Sequence, residues 1–294
     1  MFMIKAAVLP CPARMANALW RVGLPLVVLA VLAGCGSATR PGGAGPITAA
    51  DIAGNKLVAQ TSPEIRKIET LGRTIYVLDN AVARATDRAL ADGADLRAAD
   101  IRGWVTDTTG PGVLVRFVRQ RGGRVEAAYD VQVDERGQAS AMTRPANPAL
   151  TPEQSAQFAA RQLALAQNGR LCPGSYNTVA FRDADTRNWR IYVLAATADP
   201  DIQVIAGHQR IIVSRDGEKV LSAQNLSKTC LEPSTKTAPG NILAFLFVTE
   251  VQSPTPTETH VFTNLLYRLP LMLITVSNRQ TWIIDRGRIW GVRQ

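Results

Sequence analysis

His208, in Ala-Gly-His-Gln-Arg, and His260, in Glu-Thr-His-Val-Phe, are the only histidines of the chain. Imidazole is the side chain whose ordinary pKa puts its charge change near neutral pH, so two of them with Glu258 have the composition of an acid–base pair or a metal site. The same residues also read as polar strand positions hydrogen-bonded to nearby backbone, and Gly207 as a bulge or a point of close packing. Asp183, Asp185 and Asn188 open like a calcium loop, but no glycine stands at the sixth place and Leu194 fills the twelfth, where a bidentate carboxylate is required. An Asx-rich hairpin turn accounts for them better. Gly174-Ser175 is not a nucleophile elbow, and neither a phosphate-binding glycine loop nor a zinc-type Cys or His spacing occurs. No cofactor is expected. The expected function is non-enzymatic, with a hydrolase or metal-dependent enzyme built on His208 and His260 as the alternative.

The first residues carry a different chemistry. Lys5, Arg14 and Arg21 precede an apolar stretch from Val22 to Ala33 that contains Pro25 and is short for a permanent span. Leu32-Ala33-Gly34-Cys35 follows at once, and here the chain resembles the lipobox of bacterial lipoproteins. The resemblance covers the targeting segment alone. It implies cleavage before Cys35, a signal peptide over residues 1–34 read from Met1 or Met15, and an acylated Cys35 as the first residue of the mature protein. Each acyl CH₂ buried in a bilayer contributes about 0.8 kcal/mol, so several chains hold a body at the membrane without embedding it. Gly36 and Ser37 lack the aspartate that commonly marks inner-membrane retention, so the resemblance implies the periplasmic side of the outer membrane.

With Cys11 in the leader and Cys35 lipidated, Cys172 and Cys230 are the remaining cysteines. An oxidising periplasm makes a disulfide the expectation and two separate buried thiols the alternative. The net charge of +9 falls to near +6 once Lys5, Arg14 and Arg21 are gone. Arginine dominates the basic residues and suits carboxylate or phosphate, so an envelope protein or an anionic glycolipid is the expected partner, against a bland reading as surface salt bridges. Nucleic acid is not expected, because no basic helix stands out.

These residues need elements to position them. Residues 35–50 are rich in Gly, Pro and small residues and read as a tether. A first α+β unit is expected over 51–145, with a helix over 79–92 capped by Asp79 and an antiparallel hairpin of 113–118 and 125–133 in which Arg116 shares a face with Glu126 and Asp130. A second unit over 146–294 opens with a helix capped by Thr151, Pro152 and Gln154. Strands over 176–181, 189–196, 204–214 and 219–224 follow, then strands over 242–248 and 260–267 and a closing β-meander. Ile242 to Val248 reads most simply as a strand buried on both faces and, more sharply, as a membrane-touching loop. Tyr176, Trp189, Tyr192, Phe262, Tyr267, Trp282 and Trp290 are expected mostly in the core, with a glycan or peptide groove as the other use. The expected class is α+β, two helix-plus-antiparallel-meander units followed by a C-terminal β-meander.

Overall fold

A computed structural model describes residues 6–10, 57–167, 169–238 and 241–292. The lipobox and the expected tether over 35–50 lie outside these residues. In chain order the elements are β1 (Ala6–Pro10), β2 (Leu57–Ala59), α1 (Pro63–Ala91), β3 (Ile101–Asp107), β4 (Val113–Arg121), β5 (Arg124–Val133), α2 (Pro152–Leu165), β6 (Ser175–Arg182), β7 (Trp189–Ala196), β8 (Gln209–Val213), β9 (Val220–Asn225), β10 (Asn241–Glu250), α3 (Glu258–Tyr267), β11 (Leu271–Thr275), β12 (Gln280–Asp285) and β13 (Arg288–Val292). They form an α+β fold with sheets ordered β3-β4-β5, β6-β7-β8-β9 and β1-β10-β11-β12-β13-β2. The helix-then-meander layout occurs twice, as α1 with β3–β5 and α2 with β6–β9. In the first meander Arg116 lies opposite Asp130 and binds it through two nitrogens at 2.8 and 2.7 Å.

Helix α1 starts earlier than its sequence suggests. Ser62 caps it by accepting from the backbone N–H of Ile65 at 3.2 Å, Pro63 takes the first turn, and Ile65, Gly72, Ile75, Leu78, Val82, Ala85 and Ala89 recur at helical spacing on its buried face. Asp79 is therefore an interior helical residue and not a cap. Its carboxyl is pushed up to about 6 by burial, against a hydrogen bond from Asn177. The helix reaches two cores: one half packs on β4, β5, β6 and β7, and the other on α3 and the six-stranded sheet.

The sequence predicts a strand over 260–267, but this segment is α3. Its β-branched and aromatic residues favour a strand locally, yet β10 and β11 pair in parallel, and a parallel pair needs a crossover that a helix provides. The closing meander is β11–β13. In β10, Ala244, Leu246, Val248 and Glu250 are buried, while the residues between them are half-buried; one face is covered, not both.

Gly72 lets α1 and α3 meet at backbone distance. A Cβ there would lie 2.5 Å from Val261 Cβ and 2.7 Å from the carbonyl oxygen of Glu258. Alanine gains up to about 1 kcal/mol of helix propensity over glycine, whereas forcing two packed helices apart costs about 1–3 kcal/mol. Gly72→Ala should therefore lower the urea midpoint; a raised midpoint would show that the crossing yields freely.

Candidate functional site

The two histidines and Glu258 converge where β7 and β8 meet α3. Gly207 has φ +109°, and a Cβ on it would lie 2.3 Å from Cys172 Sγ, so this glycine packs on the cysteine and turns the chain into His208. His208 is 1% exposed, and its Nδ1 accepts the backbone N–H of Ala195 at 3.1 Å. Its Nε2 is buried with no partner among the described residues, and the ring stands edge-on to Phe262. His260, in the first turn of α3, accepts the backbone N–H of Thr257 through Nδ1 at 3.0 Å. Its Nε2 lies 3.7 Å from Glu250 Oε2, beyond hydrogen-bond reach, beside a cavity of about 60 Å³. Burial lowers both imidazole pKa values, that of His208 to about 3. Both rings are thus neutral at pH 7, with the proton on Nε2. The lone pair that a general base or a metal ligand needs is engaged with backbone in each.

Glu258 is engaged as well. Its Oε1 accepts from Tyr192 Oη at 2.7 Å and Arg210 Nη1 at 2.6 Å, and Arg210 Nη2 continues to Gln224 Oε1 at 2.7 Å. This chain ties α3 to β7, β8 and β9. Desolvation acts to raise the Glu258 pKa, but Arg210 and the hydrogen bonds hold it below its ordinary value. Removing one member of a buried pair costs about 3–5 kcal/mol, because the other charge stays buried alone. Arg210→Met should lose about this much stability in chemical denaturation, and Arg210→Met with Glu258→Gln should lose less. Equal losses in the two variants would show that the charge itself is irrelevant.

Among the described residues, the group whose ligand atoms come close enough for a metal is Cys172, Cys230 and Glu232. Its two sulfurs are bonded to each other, with Cα atoms 5.0 Å apart, so neither is a thiolate ligand. The acidic turn after β6 is equally occupied. Asp183 Oδ1 accepts the backbone N–H groups of Asp185 and Thr186 at 3.2 and 3.0 Å, and Oδ2 pairs with Arg190, which holds this carboxyl well below its usual range. It is an Asx turn closing the β6–β7 hairpin.

The space for a ligand lies elsewhere. A groove of about 970 Å³ runs between α1, the loop after β3, the first turn of α2 and the β6–β7 turn. Leu78, Val77 and Phe181 give it an apolar side. Arg182 builds its far wall: it binds Glu153 through two nitrogens at 2.7 and 2.6 Å, donates to the carbonyls of Arg187 and Arg215 at 2.8 Å each, and stacks on Trp189 at 3.8 Å. On the rim Lys67 pairs with Asp185 at 2.9 Å. Arg66 and Arg187 are exposed and form no ion pair among the described residues.

No family model, curated protein or solved structure matches this chain.

The site therefore rests on its own geometry. Of the aromatic residues marked as core or groove, Trp189, Tyr192, Phe262 and Trp282 are buried, and Trp189 alone also borders the groove. One buried charged residue escaped the sequence. Arg161, on α2, is 5% exposed, stacks over Trp104 at 3.8 Å, and has no carboxylate partner among the described residues. An arginine on an amphipathic helix reads as surface; no local signal marks this one as buried.

Proposed function

We propose that the protein is a non-enzymatic binding module, held by lipid on Cys35 at the periplasmic side of the outer membrane, whose groove takes an envelope partner; in this reading cleavage before Cys35 removes β1 and leaves β10 at the edge of its sheet. The observation that carries the reading is the groove itself: an apolar side, a wall fixed by Arg182, and a rim where Arg66 and Arg187 are left for a partner. Ligand sites of this kind combine apolar lining with a few polar groups that set orientation. The arginine rim favours a partner with exposed acidic groups, a protein or an anionic glycolipid. The engaged lone pairs of His208 and His260 support binding over hydrolysis. No described helix is long and apolar enough to cross a membrane, and attachment through lipid requires none.

The test is crosslinking in intact cells followed by mass spectrometry, comparing wild type, Cys35→Ser and Arg66→Glu/Arg187→Glu. A single protein or glycolipid captured by wild type, and lost on both changes, supports a tethered module that binds through the groove. Capture that survives Arg66→Glu/Arg187→Glu moves the contact away from the groove. Fractionation of Cys35→Ser with membranes would overturn the lipid anchor.

A further inference from the structure

We propose that Arg161 anchors a carboxylate-binding subsite in a small chamber adjoining the groove, so that the ligand is an apolar chain ending in a carboxylate; this deepens the groove reading and rests on it. A guanidinium is always protonated, and a buried cation without a counter-charge is costly unless something supplies one. Arg161 has partial compensation only. Its Nε donates to Thr178 Oγ1, and its plane lies on the Trp104 ring. Its Nη1 is buried with no partner among the described residues. Burial lowers the pKa to about 9, which still leaves the group charged at neutral pH.

The surroundings are built to hold this side chain in place. Nη1 lies only 1.8 Å from where a Cβ would stand on Gly103, so the guanidinium occupies the volume that any other residue at 103 would fill. Gln157 braces the site from the groove side, accepting the N–H of Thr106 through Oε1 at 3.0 Å and donating to the Ala180 carbonyl at 3.0 Å.

Beside Arg161 is a chamber of about 10 Å³, bordered by Trp104, Gln157 and Thr178, and it shares Leu78, Thr106, Gln157 and Ala180 with the large groove. That volume holds roughly one water-sized group. One oxygen of a ligand fits it, and behind that oxygen a planar carboxylate is slimmer than a tetrahedral phosphate. The rest of the ligand would lie along Leu78, Val77 and Phe181. The neighbouring acids do not oppose an incoming anion strongly: Glu153, Asp183 and Asp185 are paired with Arg182, Arg190 and Lys67, and Asp107 accepts from Thr109.

The experiment titrates the Cys35→Ser protein with octanoate, octanol and octyl phosphate by calorimetry. A charge-assisted contact should make octanoate bind about ten-fold more tightly than either of the others, and Arg161→Gln should erase the difference. Because Arg161→Gln removes a packed side chain, Thr178→Asp provides a second reading: a carboxylate built in beside Arg161 should abolish the octanoate preference while circular dichroism stays native. Equal affinity for octanoate and octanol overturns the subsite and leaves the groove standing. An octanoate preference that survives in Arg161→Gln or in Thr178→Asp also overturns it. No binding by any of the three overturns the subsite too, and the groove is then judged by the crosslinking alone.

Discussion

Lowering the pH from 7 toward 4.5 should destabilise the protein steeply, and His208 should carry much of the slope. Once unfolded, its imidazole takes up a proton near its ordinary value of 6.5; folded, it resists to about 3. Between those limits the unfolded chain binds more protons, so the stability is present above about 6.5 and lost as the pH falls, at up to about 1.4 kcal/mol per pH unit. His260 is shifted in the same direction by burial, with Glu250 and Glu258 opposing, and adds to the slope. Asp79 works against both: its folded carboxyl keeps a proton to about 6, so its contribution favours the fold in acid and is lost as the pH rises through that value. Above pH 6 the histidines act alone, and below it the Asp79 carboxyl offsets part of their slope. Urea midpoints at pH 7.5, 6, 5 and 4.5 measure the slope. His208→Asn keeps an acceptor for the Ala195 N–H and cannot be protonated, so its profile should be flatter. A wild-type profile that is level from 7.5 to 4.5, or one unchanged by His208→Asn, would disprove the assignment.

Breaking the Cys172–Cys230 bond is expected to have an effect of the same order. The bond closes a loop of 58 residues, which in the chain-entropy model stabilises by about 4 kcal/mol. Inside this loop lie β6, β7, β8 and β9, and the same covalent link lies under Gly207, which leads into His208. The double replacement Cys172→Ala/Cys230→Ser should thus lower stability by about 4 kcal/mol and also expose the His208 region to solvent. Denaturation with and without reductant gives the first quantity, and amide exchange at Ala195, whose N–H is bound by His208, gives the second. A loss below about 1 kcal/mol would mean that the unfolded chain is already compact across this loop.

What the sequence revealed and what it hid follow from the range of the interactions. Helix α2 was legible because Thr151, Pro152 and Gln154 are neighbours in sequence as well as in space, and the Arg116–Asp130 pair because hairpin register is local. The first half of α1 was hidden by Gly72, which looks like a break until Val261 is seen against it. Helix α3 was hidden because its residues from 258 to 264 are all buried, so no polar face leaves a helical period to read. Strand β3 went unread because Gly103 interrupts its alternation, and the glycine is there for a side chain 58 residues later in the chain. At the candidate site, the convergence of His208, His260 and Glu258 was anticipated, but their state was not: which lone pairs are engaged depends on the N–H groups of Ala195 and Thr257, and composition does not carry that. Arg161 could not be singled out at all, since its isolation is a property of what three other segments fail to bring near it.

The pairing of β2 with β13 sets an order on how the molecule can be assembled as it emerges from a ribosome or an export channel. Leu57–Ala59 is bonded to Trp290–Val292, and Glu69 on α1 accepts the backbone N–H of Ile289, 220 residues further along. At about 5–20 residues per second, the start of α1 waits roughly ten to forty seconds for those partners to appear. During that interval Ile65 and Ile68 lack the Ile289 side of their core. Completion of this core therefore waits on the far end of the chain.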